Sequence, residues 1–308
     1  YLDGCFEVGE IEKYEELLSK KVNHRFFNKV EIKRKRVYKS CIDPKYENVH
    51  QNEKDWYKFV NKKFDRIPKI HSTNPLVMEK IEGKHLWEVD ENQSTIIENY
   101  CDTLESLHKI DSKKGNYLNE CMNLYFLKAC DRVKEVAPLI PHLYEPIIRI
   151  NKVYCQNPIY HRSSFKDTIL EIARVKEYNV IHGDPTFSNT LVDKDNKIWL
   201  IDPRGSFGDT KIYGDRRYDW AKLYYSAVGN YDSMNSKQFL VNVMSGPVVE
   251  LDIASNGYER YGDIILERSG MSRREMNLIH ASIWLALTGY IKEDIDAAMF
   301  SFYMGTYL

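Results

Sequence analysis

No apolar run in this chain approaches the length of a membrane-spanning helix, about 20 residues, so nothing in it reads as membrane-inserted. CxxC pairs are also missing. The six cysteines (Cys5, Cys41, Cys101, Cys121, Cys130, Cys155) are scattered without regular spacing, which argues for reduced thiols in the cytoplasm and against a disulfide framework. There is no surplus of one charge: 44 Lys and Arg stand against 45 Asp and Glu, a net −1, so no global field recruits nucleic acid or an anionic membrane. Neither an internal repeat nor a low-complexity tract occurs. What remains is an ordinary globular composition, 308 residues with 43% hydrophobic and 29% charged, long enough for two lobes with a core each. The chain opens at Tyr1 rather than Met, as a piece fused to another domain in a longer protein would. Ile11, Tyr14, Leu17 and Leu18 give residues 1–22 a helical pattern, read as a cap or the remnant of a preceding domain.

The chain is organised around residues 180–208, VIHGDPTFSNTLVDKDNKIWLIDPRGSFG. Two short apolar runs, 179–181 and 198–201, read as strands. Between them lies a polar loop carrying His182, Asp184 and Asn189, then a turn at 193–197; Asp202 follows the second strand. Asp184, Asn189 and Asp202 would converge at the mouths of adjacent strands, as a hard cation and a hydroxyl nucleophile require. Phosphoryl transfer asks the protein mainly for in-line positioning and charge neutralisation. One carboxylate must take the proton of the attacking hydroxyl, and Asp184, on the loop, is placed for that. A second must hold Mg²⁺, which prefers oxygen ligands and keeps several waters; Asp202 suits that part, with Asn189 adding a neutral oxygen. His182 reads as structural, bonding to backbone near the metal turn.

His182-Gly183-Asp184-Pro-Thr-Phe-Ser-Asn189 followed by Ile201-Asp202 resembles the aminoglycoside phosphotransferase and choline kinase family, relatives of the protein kinases. The bland alternative is a hairpin with acidic turn residues, since Asp and Asn are common in turns. The resemblance implies an α+β, two-lobed protein-kinase-like fold: residues 1–22 an N-terminal helical extension, 23–83 a nucleotide-binding small lobe and hinge, 84–308 a helical catalytic and acceptor-binding lobe. It implies ATP, with GTP as the alternative, Mg²⁺, and a small-molecule hydroxyl acceptor.

In the small lobe, residues 30–42 (VEIKRKRVYKSCI) alternate as a strand or bent hairpin does. Lys39 would grip the nucleotide phosphates; the alternative is a solvated lysine among the neighbouring cations. On one continuous strand Lys33, Lys35, Val37, Lys39 and Cys41 would share a face. A helix over 48–62 follows, with Glu53 as the glutamate that orients Lys39; Glu47 is the competitor, set ahead of the helix, and an exposed pair with Lys54 or Lys58 is the plain alternative. Residues 69–70 and 76–81 read as strands, and LVMEKIEGKHLWEV resembles the family's hinge. There Met78 would back the base pocket, Glu79 and Ile81 would offer backbone groups to adenine, and Gly83 would turn the chain into the larger lobe. A glycine-rich phosphate loop is lacking: residues 23–29, the only candidate, contain no glycine.

The larger lobe reads as helices over 94–110, 118–136, 143–154 and 164–176, with Pro138 and Pro141 breaking between two of them. His108 reads as a packing or capping residue. Asp219, near the start of a helix at 218, would bond the catalytic-loop backbone. Arg204 would meet phosphate or an anionic substrate, or pair with Asp209 or Asp215. A terminal helical region spans 273–303, where Glu293, Asp294 and Asp296 read as helix-dipole compensation rather than an acceptor site. The function expected is phosphorylation of a small metabolite (a sugar, amino alcohol or relative), in surface-polysaccharide or sugar-nucleotide assembly by analogy. An antibiotic kinase and a nucleotide-binding pseudokinase or regulatory module are the alternatives. The lack of an Ala-Pro-Glu segment argues against protein substrates.

Overall fold

The computed structural model describes residues 28–308; the helix expected within 1–22 and most of the 23–29 loop lie outside the described residues. Two compact units are present, 28–51 with 69–80, and 52–68 with 81–308.

The first unit is an antiparallel sheet in the order β1-β2-β4-β3, formed by β1 (Asn28–Lys33), β2 (Arg36–Cys41), β3 (Ile70–Thr73) and β4 (Leu76–Glu79). Residues 30–42 are therefore a hairpin. Its turn is Arg34-Lys35, with Arg34 at φ 55°, a left-handed backbone that suits the twist of paired strands. This corrects the single-face reading: Lys33 lies on β1, opposite Arg36, and Lys35 is an exposed turn residue. Lys39 sits on the inner strand β2, opposite Val30 and Leu76, and is 3% exposed.

Helix α1 (Glu47–Val60) starts in the first unit and belongs to the second from Asn52 onward. Glu47, expected ahead of this helix, is its first residue. Trp56, Tyr57 and Val60 are fully buried.

In the second unit, β5 (Gly83–His85) joins the hairpin of β10 (Thr190–Asp193) and β11 (Ile198–Leu200). Gly83 is thus a strand residue, not a turn. It is glycine because a Cβ there would lie 2.6 Å from the Val192 carbonyl oxygen. Helix α2 (Gln93–His108) buries Ile96, Ile97, Tyr100, Leu104 and Leu107 along one stripe, each contributing roughly 1.5–3 kcal/mol. Next come β6 (Ser112–Lys114), a short α3 (Leu118–Met122), a single π-helical turn (Asn123–Leu127) and α4 (Lys128–Glu135).

Residues 143–154, expected as a helix, are instead the hairpin of β7 (Ile147–Ile150) and β8 (Val153–Gln156). Asn151 and Lys152 both have positive φ, 45° and 72°, the backbone of a tight two-residue hairpin turn. The burial of 147–150 alternates outside and inside, which is strand period rather than helix period. With β15 (Phe239–Val243) and β16 (Val248–Ile253) they make a sheet in the order β15-β16-β7-β8.

Helix α5 (Arg162–Ile172) leads into β9 (Glu177–Val180), which pairs with β6 and with β14 (Tyr213–Gly214). The ribbon of β12 (Ser206–Phe207) and β13 (Thr210–Lys211) precedes β14. Helices α6 (Arg216–Ala227), α7 (Tyr231–Asn235), α8 (Gly262–Ser269), α9 (Arg273–Leu287) and α10 (Ile295–Tyr307) complete the unit. The terminal helical region is broken between α9 and α10. Asp294 caps α10, accepting from Ala297 N, and Asp296 lies in its first turn. No helix among the described residues is long and apolar enough to cross a membrane. The five described cysteines are free thiols.

Candidate active site

The loop from β9 to β10 is held by its own backbone. Gly183 has φ 82°, and a Cβ there would meet the Arg204 Cβ at 2.9 Å, so the position excludes other residues twice over. Asp219, on the first turns of α6 and wholly buried, accepts from His182 N and Gly183 N, both at 2.8 Å. His108 Nε2 lies 3.1 Å from the same carboxylate. The reading of Asp219 as bonding the loop backbone describes what is found, while His108, read as a packing or capping residue, is buried against the Asp219 carboxylate.

His182 donates from Nε2 to the Ile201 carbonyl at 2.9 Å, and its Nδ1 accepts from Asp184 N at 3.3 Å. One nitrogen donating and one accepting is the neutral tautomer, assigned from its partners. Burial holds the ring's pKa below its ordinary value, although the nearby Asp219 and Asp184 carboxylates pull the other way. Trp56 Nε1 donates to the Ile181 carbonyl at 2.6 Å, and its ring meets His182 edge-on. Tyr100 OH donates to the Pro185 carbonyl at 2.9 Å. Asp232, on α7, accepts from Ser188 N at 3.0 Å, and burial pushes its carboxyl up to about 6.

The turn after β11 is bound to this loop. Ile201 N donates to Asn189 O at 3.0 Å and Arg204 N to His182 O at 2.9 Å. Asp202, between them, has φ 55°, a left-handed conformation that Asp tolerates better than most residues. Asn189 spends its amide N–H groups on Asp184, at 2.8 Å to the backbone carbonyl and 3.2 Å to Oδ2. That leaves its amide oxygen as the atom able to face a cation. Among the described residues no group of three His, Cys, Asp or Glu forms a metal cage. One carboxylate plus one neutral oxygen nonetheless fits Mg²⁺, which keeps most of its waters and borrows oxygens from phosphate.

Asp184 is buried and meets cations that sequence reading did not place. Lys222, one turn beyond Asp219 on α6, brings Nζ to 3.0 Å from Oδ1, each side chain 12% exposed. Burial would lower the Lys222 ammonium, yet the Asp184 carboxylate beside it holds it above the ordinary lysine value. Arg204 reaches to 4.0 Å from Oδ2. Of the readings made for it, the pair with Asp215 is not found: Asp215 is taken by Arg217 at 2.7 Å and by Tyr125 at 2.9 Å. Lys128, the first residue of α4, is the third cation. Burial, then Arg204, Lys222 and Arg132, press it down to about 7. A signal for Lys222 existed, since i and i+3 share a helix face; Lys128 had none.

The other predicted residues fall as follows. Lys39, Met78 and Glu79 belong to the first unit; Glu53, Ile81, Asp184, Asn189 and Asp202 to the second. Met78 is 4% exposed on β4, opposite Val37. Glu79 N is used within the sheet, donating to Lys69 O at 2.9 Å. Ile81 lies between β4 and β5, and Glu53 is buried on α1.

No family profile matches the sequence, and no curated protein matches it. Solved structures do. Choline kinase LicA from Streptococcus pneumoniae is 12% identical, covers 96% of this chain and 98% of its own, and superposes with a TM-score of 0.54. A choline/ethanolamine kinase family protein from Mesorhizobium loti is 12% identical over 92% of this chain and 85% of its own, TM-score 0.55. An ethanolamine kinase from Plasmodium vivax is 15% identical over 100% and 90%, TM-score 0.50. At such identity the likeness establishes the fold: protein-kinase-like, as in these small-molecule kinases.

Proposed function

We propose that this chain is an ATP- and Mg²⁺-dependent phosphotransferase acting on a hydroxyl of a small metabolite. What supports the reading above all is the pair of hydrogen bonds, Ile201 N to Asn189 O and Arg204 N to His182 O, that ties the Asp202 turn to the Asp184 loop. A base and a metal ligand held in fixed register are what in-line transfer to a hydroxyl requires.

In this reading Asp184 orients the acceptor hydroxyl and takes its proton as the oxygen bonds to the γ-phosphorus and the bond to the ADP oxygen breaks. Asp202 and Asn189 would hold Mg²⁺, which neutralises phosphate charge when bound. Lys39, oriented by Glu53, would hold the nucleotide phosphates. Met78 would back the base, and the Glu79 and Ile81 backbones would meet adenine. The free thiols support a cytoplasmic setting.

The test is a thermal shift with Mg-ATP against ATP alone, followed by ADP release across sugars, sugar acids and amino alcohols. A shift that needs Mg²⁺, together with acceptor-dependent ADP release, is the outcome expected. Mg-ATP binding without release for any acceptor would leave a pseudokinase instead.

A further inference from the structure

Asp184 lies among cations, with the Asp202, Asp219 and Asp232 carboxylates also nearby. Lys222 and Arg204 flank the Asp184 carboxylate at 3.0 and 4.0 Å, and Lys128 lies close enough to feel both cations and Asp184. Among the described residues Lys128 has no ion-pair or hydrogen-bond partner, although it is only partly exposed. A half-buried cation without a matching anion is unfavourable, and it persists where something else requires it. The π-helical turn Asn123–Leu127 directly before Lys128 adds to this. Such turns rotate the residues after them out of α-helical phase, and they gather at functional sites.

The two oxygens of Asp184 face different groups. Asn189 and Arg204, neighbours of the metal turn, address Oδ2; Lys222 addresses Oδ1. If the phosphoryl donor arrives with the metal, Arg204 shares its side, and Lys222 and Lys128 are left for the other reactant.

We propose that the acceptor is an anion, carrying a carboxylate or phosphate group near the hydroxyl it presents to Asp184, and that Lys128 and Lys222 recognise that group. The proposal rests on the phosphotransferase reading. An anionic group would displace Lys222 from Oδ1, freeing that oxygen for the hydroxyl, and would return Lys128 towards the ordinary ammonium range. A cationic acceptor such as choline would meet like charge instead.

A matched series tests this: glucose, glucosamine, glucuronate and glucose 6-phosphate, assayed by ADP release with the full chain and saturating Mg-ATP. The ring stays the same while the charge changes, and the last two separate carboxylate from phosphate. At least about a tenfold higher kcat/KM for an anionic member is expected. Lys128→Met should raise the KM for that member while leaving the KM for ATP unchanged, and Lys128→Arg should restore it. Preference for glucose or glucosamine, no discrimination among the four, or a Lys128→Met effect confined to the KM for ATP would each overturn the proposal while the phosphotransferase reading stands. Turnover of none of the four, with Mg-dependent ATP binding intact, also counts against it. Failure to bind Mg-ATP removes the underlying reading, and this one with it.

Discussion

Asp219 gives one carboxylate oxygen to the amide of His182 and the other to the amide of Gly183, both at 2.8 Å and out of solvent. The Asp184 loop is therefore suspended from a helix by charge-assisted hydrogen bonds, and Lys222 hangs from the next turn of that helix. Asp219→Ala should lower stability by about 2–5 kcal/mol, because two buried amides lose their acceptor together. Urea denaturation measures this. A midpoint within error of the parent would mean that water or His108 replaces the carboxylate.

Asp184→Asn removes the proposed proton acceptor while keeping the shape. Turnover should fall about 10²–10⁴-fold, the usual loss for a general base, with Mg-ATP binding nearly intact. Steady-state kinetics beside nucleotide titration separate the two, and unchanged turnover would sink the assignment.

Asp202 is constrained by its backbone as well as by its proposed charge. At φ 55°, alanine adds strain that asparagine largely avoids. Asp202→Asn should abolish the Mg²⁺-dependent part of nucleotide binding at near-parental stability, while Asp202→Ala loses both. If Asn189→Ala harms metal-dependent binding more than Asp202→Asn does, the division of roles is wrong.

Lys39 and Lys35 are an internal control. Lys39 is buried on an inner strand, and Lys35 is exposed in a hairpin turn. Lys39→Ala should weaken ATP use strongly, whereas Lys35→Ala should change it within about 1 kcal/mol. Kinetics in which Lys35→Ala does more damage would reverse the choice and remove Glu53 as its partner.

Lys128 links charge to stability. Burial and its cationic neighbours hold its ammonium down to about 7, while in the unfolded chain it titrates near its ordinary value. Between those two values the unfolded state binds more protons, so this group makes stability rise with pH across that window. At pH 7 and below the penalty is present in full. Lys128→Met should therefore stabilise the ligand-free protein there, by a few kcal/mol at most given its partial exposure. The gain should shrink towards pH of about 10. Thermal melts at three pH values decide it, and a gain that grows with pH refutes the account.

The residues proposed to react were legible because their relationship is local. Asp184 and Asn189 share one loop, Asp202 follows on the next strand, and fixed spacing carries the pattern through the chain. Asp219 could be placed from its position at a helix start. Lys222 had only the weaker signal of sharing a helix face with Asp219, and Lys128 had none. They come to the neighbourhood of Asp184 from two helices distant in sequence, Lys222 in contact with it and Lys128 only within its field, and a lysine on a helix looks alike whether it faces water or a carboxylate. The β7–β8 hairpin differs from its expected helix for another reason: Leu143, Ile147, Ile148 and Ile150 fit a helical stripe as well as a strand, and the left-handed Asn151-Lys152 turn and the alternating burial of 147–150 tell them apart. For Arg204 the sequence leaves two readings, a phosphate or anionic substrate and a pair with Asp209 or Asp215, and Arg217 and Tyr125 claim Asp215.

The bond from Trp56 to the Ile181 carbonyl gives the protein an optical gauge of its own. An indole with no solvent exposure, its N–H fixed to the stem of the Asp184 loop, emits at the blue edge of tryptophan fluorescence. Loosening of that stem would move the emission to longer wavelength before any product forms. Of the five tryptophans, Trp87 stands in solvent, and a soluble quencher would silence it first. The remaining light comes from Trp56 together with Trp199, Trp220 and Trp284, and the part of it that Trp56→Phe removes would follow the loop without a label.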